Sequence, residues 1–249
     1  MTGTTVPPRQ DGSMMKETIE LAGIPIEIEL TTADHLAAYE PFMERATPLL
    51  RVCVSAQEAD ALCRRCGQDG PASYWAHLLL SLKVSDALLP YGRTVFHGVA
   101  FRWRGRAFLF TGESGVGKTT QYLLWKLLYG ADVHMINGDK PLLSFAGDRV
   151  WVHPSPWTGK EGMGQSIDAP LGGIVLLRQG QIDHIRRMAA EESTQALHAQ
   201  FLVSRDGPTV QRMAERLARE VPVWLLTNRG DEASARMCHD ALEGHLDQT

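Results

Sequence analysis

The run Gly112-Glu113-Ser114-Gly115-Val116-Gly117-Lys118-Thr119 constrains this chain more than any other feature, because it satisfies every position of the pattern G-x-x-x-x-G-K-S/T, a P-loop. Each residue type has its own task. The glycines let successive amide N–H groups turn toward phosphate oxygens, and a helix starting at Lys118 adds the positive end of its dipole. Lys118 supplies a full charge to the β- and γ-phosphates, and the Thr119 hydroxyl can coordinate a Mg²⁺ bridging them. The pattern requires a strand before it and a helix after it. Residues 106–110 are β-rich, and residues 119–129 carry Leu123, Leu124, Leu127 and Leu128 as one stripe of an amphipathic helix ended by Gly130. The expected nucleotide-binding stretch is residues 112–120, with Thr120 included.

Phosphoryl transfer also needs a carboxylate for the metal or for the attacking hydroxyl. Asp139 follows an apolar strand at residues 133–136 and so stands at that strand's carboxyl end. Asn137-Gly138-Asp139-Lys140-Pro141 also reads as a plain turn, since Asn-Gly and Lys-Pro are turn chemistry. Beside a P-loop, Asp139 is expected to be catalytic and metal-binding together with Thr119.

Along the rest of the chain, residues 1–14 read as a disordered leader without the apolar run of a secretion signal. Residues 18–30 alternate about Gly23 as a hairpin, residues 31–46 read as helical, and residues 49–54 as a strand. A helix over residues 56–66 is capped by Ser55 and stopped by Gly67, and another spans residues 74–89 before Pro90-Tyr91-Gly92. Residues 95–103 and 106–110 form a hairpin about Arg104-Gly105 that delivers the glycine loop. Strands recur at residues 133–136, 141–145, 149–152, 173–177 and 221–226, and helices near residues 193–204, 209–219 and 231–246. The expected fold class is mixed α/β, with a small α+β region at residues 15–90 ahead of a catalytic domain at residues 91–249.

With 249 residues, 44% of them apolar, the chain can bury a sizeable core. A formal charge of −4 gives no general attraction to nucleic acid or anionic membrane, so neither is expected as a partner. No apolar stretch approaches the roughly 20 residues that cross a bilayer, and a soluble, cytoplasmic protein is expected. Cys63-Arg64-Arg65-Cys66 has the spacing of a redox or half-zinc site but lacks a second pair, and it reads as incidental reduced thiols on a helix.

The arrangement of these segments resembles the superfamily of HPr kinase/phosphorylase and ATP-type phosphoenolpyruvate carboxykinase. Phe96-His97-Gly98-Val99, a short turn, and then Phe108-Leu109-Phe110-Thr111 running into Gly112 look like that family's entry to its P-loop, with the Asp139 motif following closely. Most P-loop enzymes instead feed the loop from a parallel strand and place the second acidic motif much later. Ile136-Asn137-Gly138-Asp139-Lys140-Pro141, Pro156-Trp157-Thr158-Gly159-Lys160-Glu161 and Pro170-Leu171-Gly172-Gly173-Ile174-Val175-Leu176-Leu177 are similar to a bacterial HPr-kinase-like subgroup. The resemblance covers roughly residues 90–245. It implies an HPr-kinase-like P-loop domain with a mixed sheet, and ATP and Mg²⁺ as cofactors. Where the family has two aspartates after the strand, this chain has Gly138-Asp139. Asp139 matches the metal-associated member, and the usual proton acceptor has no counterpart.

The resemblance also matches His97 to a family histidine that approaches the γ-phosphate or the substrate hydroxyl; on the residues alone it reads as a packed strand residue. The glycine-rich run from Trp157 to Gly164 reads as a mobile substrate loop or a solvated one. In the first case Lys160 neutralises charge, and Glu161 binds metal or accepts the proton that an aspartate at 138 would have taken. Arg186, Arg187 and Arg205 are candidates for a phosphate clamp. The expected activity is an ATP-dependent kinase acting on a hydroxyl of a small molecule, peptide or protein. The alternative is a nucleotide-responsive binding module with little turnover. Carboxykinase chemistry is not expected, because the chain is short and lacks a matching substrate-carboxylate and manganese set. Relatives that form rings leave homo-oligomerisation open.

Overall fold

The computed structural model describes residues 15–30, 35–204 and 207–247. The leader expected at residues 1–14, the first turn of the helix expected from residue 31, and Arg205 lie outside them. The chain divides into two compact units that meet between Ala87 and Leu88.

In the first unit, β1 (Met15–Leu21) and β2 (Ile24–Leu30) form an antiparallel hairpin, whose turn places Ala22 at φ 50° and Gly23 at φ 78°. After α1 (Leu36–Tyr39), β3 (Leu50–Cys53) joins β2 in parallel. The helix expected to reach residue 46 is much shorter. Glu40–Phe42 tightens into a 3₁₀ turn around Pro41, and Met43 then pairs with Ile19. Proline has no N–H for the α-helical ladder, so the helix gives way there. The next helix, α2 (Ala56–Cys66), has the expected boundaries. Ser55 and Glu58 close a capping box at its start, and Gly67 ends it at φ 61°. Cys63 and Cys66 are free thiols on this helix. The last element, α3 (Ala72–Leu88), leads into the second unit.

The second unit runs β4 (Arg93–Val95), β5 (Val99–Trp103), β6 (Arg106–Thr111), α4 (Lys118–Tyr129), β7 (His134–Asn137), β8 (Leu142–Ser144), β9 (Trp151–His153) and β10 (Ala169–Gln179). It continues with β11 (His184–Arg187), α5 (Ala190–His198), α6 (Pro208–Glu220), β12 (Val223–Asn228) and α7 (Glu232–Leu246). The sheet is mixed. β10 lies parallel to both β6 and β12, β5 lies antiparallel to both β6 and β7, and β9, β8 and β4 extend antiparallel from the start of β10.

Period-2 alternation distributes the strand residues between two cores. Ala100, Ala107, Leu109, Ile174, Val223 and Leu225 face Leu197 of α5 and Met213 and Leu217 of α6. Phe101, Phe108, Phe110, Val175, Trp224 and Leu226 face Tyr122 and Trp125 of α4 and Cys238 and Leu242 of α7. The result is a three-layer α/β/α unit. Because both faces are covered, the central strands read as continuous apolar runs.

Two further expectations are corrected, and one strand is new. The strand expected over residues 95–103 breaks at 96–98, where Phe96, His97 and Gly98 donate N–H bonds to Pro141, Gln200 and Asp139 carbonyls instead of continuing one ladder. The helix expected to residue 204 stops at His198, because Phe201 pairs with Phe96 and the Leu202 N–H bonds the Val95 carbonyl. β11 was not anticipated. It is a charged edge strand paired only to β12.

Phe101 is fully buried against Phe108, Phe110, Tyr122 and Trp125. Phe101→Ala is expected to cost about 3–5 kcal/mol, measured as a lowered urea midpoint.

Candidate functional site

Strand direction decides which loops meet. β5 opposes β6 and β7, so the start of β5 lies at the same sheet edge as the ends of β6 and β7. The register pairs Val99 with Phe110 and Ala100 with Asn137. His97, the glycine loop after Thr111 and Asp139 therefore converge. β10 ends at this edge as well, with Leu176 paired to Thr111. Ligands of open α/β sheets bind at the carboxyl ends of the parallel strands.

In the glycine loop, Gly112, Gly115 and Gly117 adopt φ of 134°, 79° and 100°. Gly112 also lies so close to β10 that a Cβ would stand 2.8 Å from the Leu177 carbonyl oxygen. Gln179 braces the loop by donating to the Gly115 carbonyl at 3.3 Å. α4 begins at Lys118 with no side-chain cap. Its first-turn N–H groups are thus open to an anion. The Lys118 side chain folds back into the loop and donates to the carbonyls of Gly112 and Glu113 at 3.1 and 2.9 Å. Burial lowers its pKa, and the charge of Asp139 partly offsets this. Thr119 is half-buried, whereas Thr120, Glu113 and Ser114 are exposed.

Asn137 organises the opposite side. Its Oδ1 accepts the N–H groups of Asp139 and Lys140 at 2.9 and 2.7 Å, and its Nδ2 donates to the Ser155 carbonyl at 3.0 Å. The turn chemistry visible in the sequence is thus what presents Asp139. The Asp139 carboxylate pairs with Lys140 Nζ on one oxygen and lies 3.7 Å from His97 Nε2 on the other. His97 sits in the break between β4 and β5. Its carbonyl accepts the Thr111 hydroxyl at 2.7 Å, a hydroxyl that also lies 3.2 Å from Gln200 Oε1. Burial first, and then the Lys118 charge, hold the imidazole below its ordinary pKa, with Asp139 opposing them.

Residues 158–164 pack against this edge. The Gly138 N–H donates to the Met163 carbonyl at 2.9 Å, Gly164 bridges Asn137, and a Cβ on Gly159 would meet Asp139 Cβ at 2.9 Å. Lys160 and Glu161 are exposed on the turn from Gly159 to Gly162.

The fold thus brings together Lys118, Thr119, Asp139 and His97. It leaves Arg186 elsewhere, on edge strand β11, where Glu192 holds it at 2.5 and 2.9 Å. Arg187 lies over the Trp224 ring at 4.6 Å. Gln200, Lys140 and Ser155 belong to the cluster and were not singled out from the sequence. Lys140 carried a signal in its place beside Asp139, whereas Gln200 is distant in sequence and carried none.

Chemically, the cluster offers open amides and lysine charges for phosphate, a neutral imidazole and one carboxylate. Its donor set suits magnesium, which is commonly held by one or two carboxylates with phosphates and water. Among the described residues no group of three or more His, Cys, Asp or Glu side chains is arranged to hold a metal without such help. No helix is long and apolar enough to cross a membrane, again among the described residues.

No family model matches the chain, and no curated protein does. Among solved structures, the Hpr(Ser) kinase/phosphatase from Coxiella burnetii is similar at TM-score 0.34 and 12% identity, over 62% of this chain and 95% of that one. That is a distant likeness of fold.

A Cβ at position 138 would stand 2.8 Å from the Thr158 carbonyl oxygen and 3.1 Å from that of Met163. Gly138→Asp is expected to push residues 158–164 off the strand end, at a cost of about 1–3 kcal/mol. Hydrogen exchange should report faster opening confined to that segment.

Proposed function

We propose that this chain is an ATP-dependent kinase that moves the γ-phosphoryl group to a hydroxyl of a small molecule, peptide or protein. The observation that carries the reading is the convergence of Lys118 at the uncapped start of α4 with the His97–Asp139 pair on one sheet edge. The P-loop pattern of residues 112–119 and the resemblance to HPr-kinase-like proteins support the same chemistry.

Lys118 and the amides of the glycine loop bind the β- and γ-phosphates and stabilise charge on the transferring group. A magnesium ion, held by Thr119 and Asp139, would supply further neutralisation between those phosphates. His97 is the proton acceptor. Its depressed pKa keeps the ring neutral at pH 7, and the 3.7 Å separation from Asp139 is too long for a hydrogen bond, so Nε2 can take a proton. The acceptor oxygen bonds to the γ-phosphorus as its proton passes to Nε2. The bond from that phosphorus to the bridging oxygen breaks, and ADP leaves. Asp139 then stabilises the imidazolium.

A second reading, a nucleotide-responsive module with little turnover, is favoured by one observation. The position that would follow the strand as a base is Gly138, with residues 158–164 packed on it. Isothermal binding combined with a transfer assay decides between the two. Tight Mg-ATP binding without phosphate release, and without transfer across a broad panel of hydroxyl acceptors, sinks the kinase reading.

Lys118→Ala is expected to abolish nucleotide binding, whereas Asp139→Asn spares binding and removes metal-dependent turnover. ATP hydrolysis, with water as acceptor, gives the pH dependence. A base with a lowered pKa is neutral above that pKa, so the rate should hold near pH 7 and fall as pH drops through a value below 6.5. His97→Gln should cost about 100- to 10,000-fold and flatten that acid limb.

A further inference from the structure

Lysine side chains are rarely buried, yet the side chain of Lys140 is only 19% exposed. Its backbone is fixed on both sides. The N–H is donated to Asn137 Oδ1 at 2.7 Å and to the Trp157 carbonyl at 3.1 Å, and the Lys140 carbonyl accepts the Ser155 hydroxyl at 2.5 Å. With the backbone held in this way, the ammonium reaches the Asp139 carboxylate, and its charge acts on both Lys118 and His97. Two lysines therefore share one cleft with a single carboxylate. The second lysine is more than a partner for Asp139, because the cleft keeps a positive excess after that pair is formed. The anion that such an excess suits is the one the glycine loop is shaped to receive.

We propose that Lys140 is a second phosphate-binding cation, which with Lys118 lets the cleft retain a nucleoside triphosphate without a divalent ion. The inference rests on the nucleotide-binding part of the function proposed above. It assigns to Lys140 a contact with the phosphates themselves rather than neutralisation of Asp139 alone.

The two roles separate in a double-mutant titration of the full chain, followed by isothermal calorimetry with ATP in EDTA and with Mg-ATP. Wild type is expected to bind ATP in EDTA within about tenfold of Mg-ATP, and Lys140→Met to weaken binding in EDTA by about tenfold or more while weakening Mg-ATP binding less. Lys140→Arg should retain metal-free binding, because the charge is kept. Asp139→Asn should tighten metal-free binding by removing a repelling carboxylate, and adding Lys140→Met to Asp139→Asn should weaken it again. A lysine that served only to neutralise Asp139 would have no effect once that carboxylate was gone. Equal metal-free affinity of Asp139→Asn with and without Lys140→Met overturns the proposal. So does wild-type binding that occurs with Mg-ATP and vanishes in EDTA, a result that leaves the nucleotide reading standing. Absence of binding in both buffers removes that reading and the proposal together.

Discussion

β5 runs against both of its neighbours, and the rest of the site depends on that pairing. Had β5 and β7 been parallel, the turn carrying Asp139 would lie at the far edge of the sheet from Thr111. Antiparallel pairing on both sides returns the chain twice to the same edge, with Val99 beside Phe110 and Ala100 beside Asn137. The Gly98 N–H then bonds the Asp139 carbonyl at 2.8 Å, which fastens the histidine segment to the aspartate segment through backbone alone. The aromatic packing of Phe101 on Trp125 holds β5 and α4 together below this edge, so the start of α4 and the start of β5 are fixed by one core.

This architecture explains which features were legible in the sequence. The glycine loop was legible because its backbone needs glycine at Gly112, Gly115 and Gly117, where φ is positive, and a requirement on residue type appears in the sequence itself. Asp139 was legible because a carboxylate following an apolar run stands at the end of a strand. The hairpin feeding the loop was legible too, but only by half. β6 is antiparallel to β5 as Arg104-Gly105 requires, and it is also parallel to β10 on its other edge. No local pattern announces a partner that arrives more than fifty residues later. The break at residues 96–98 and the early end of α5 were hidden for the same reason. Both arise where Phe96 and His97 pair with Phe201 and Gln200, so one tertiary contact interrupts two elements at once. β11 escaped because an edge strand with a single apolar residue packed on the core has almost no periodicity to read.

The electrostatics follow from the same convergence. Lys118, Lys140 and His97 are gathered around Asp139, so one carboxylate faces three groups that can carry positive charge. Such crowding is costly without a counter-anion, and the cost is met in part by discharging the weakest base. Burial and the neighbouring lysine push the imidazole toward its neutral form, while Lys118 leans on two of its own loop carbonyls. Under the proposed function this suits an incoming anion, because the cations are held in place and desolvated beforehand, so that a phosphate taking the place of those carbonyls would require little reorganisation.

Position 138 bears on the proposed chemistry most directly. A side chain there would collide with the carbonyl oxygens of Thr158 and Met163, and a carboxylate would add charge repulsion to the collision. What the chain has instead is backbone pairing, through the Gly138 N–H to Met163 and the bridge between Asn137 and Gly164. The glycine and the loop are therefore one feature, and the loop could not sit as it does over an aspartate. Glu161, the carboxylate on that loop, is exposed at its tip. Under the proposed transfer the proton then falls to His97, the one neutral base in the cluster. Phosphoryl transfer can take its base from a different side chain in this way, because its loose transition state fixes where charge must be placed more tightly than which group accepts the proton.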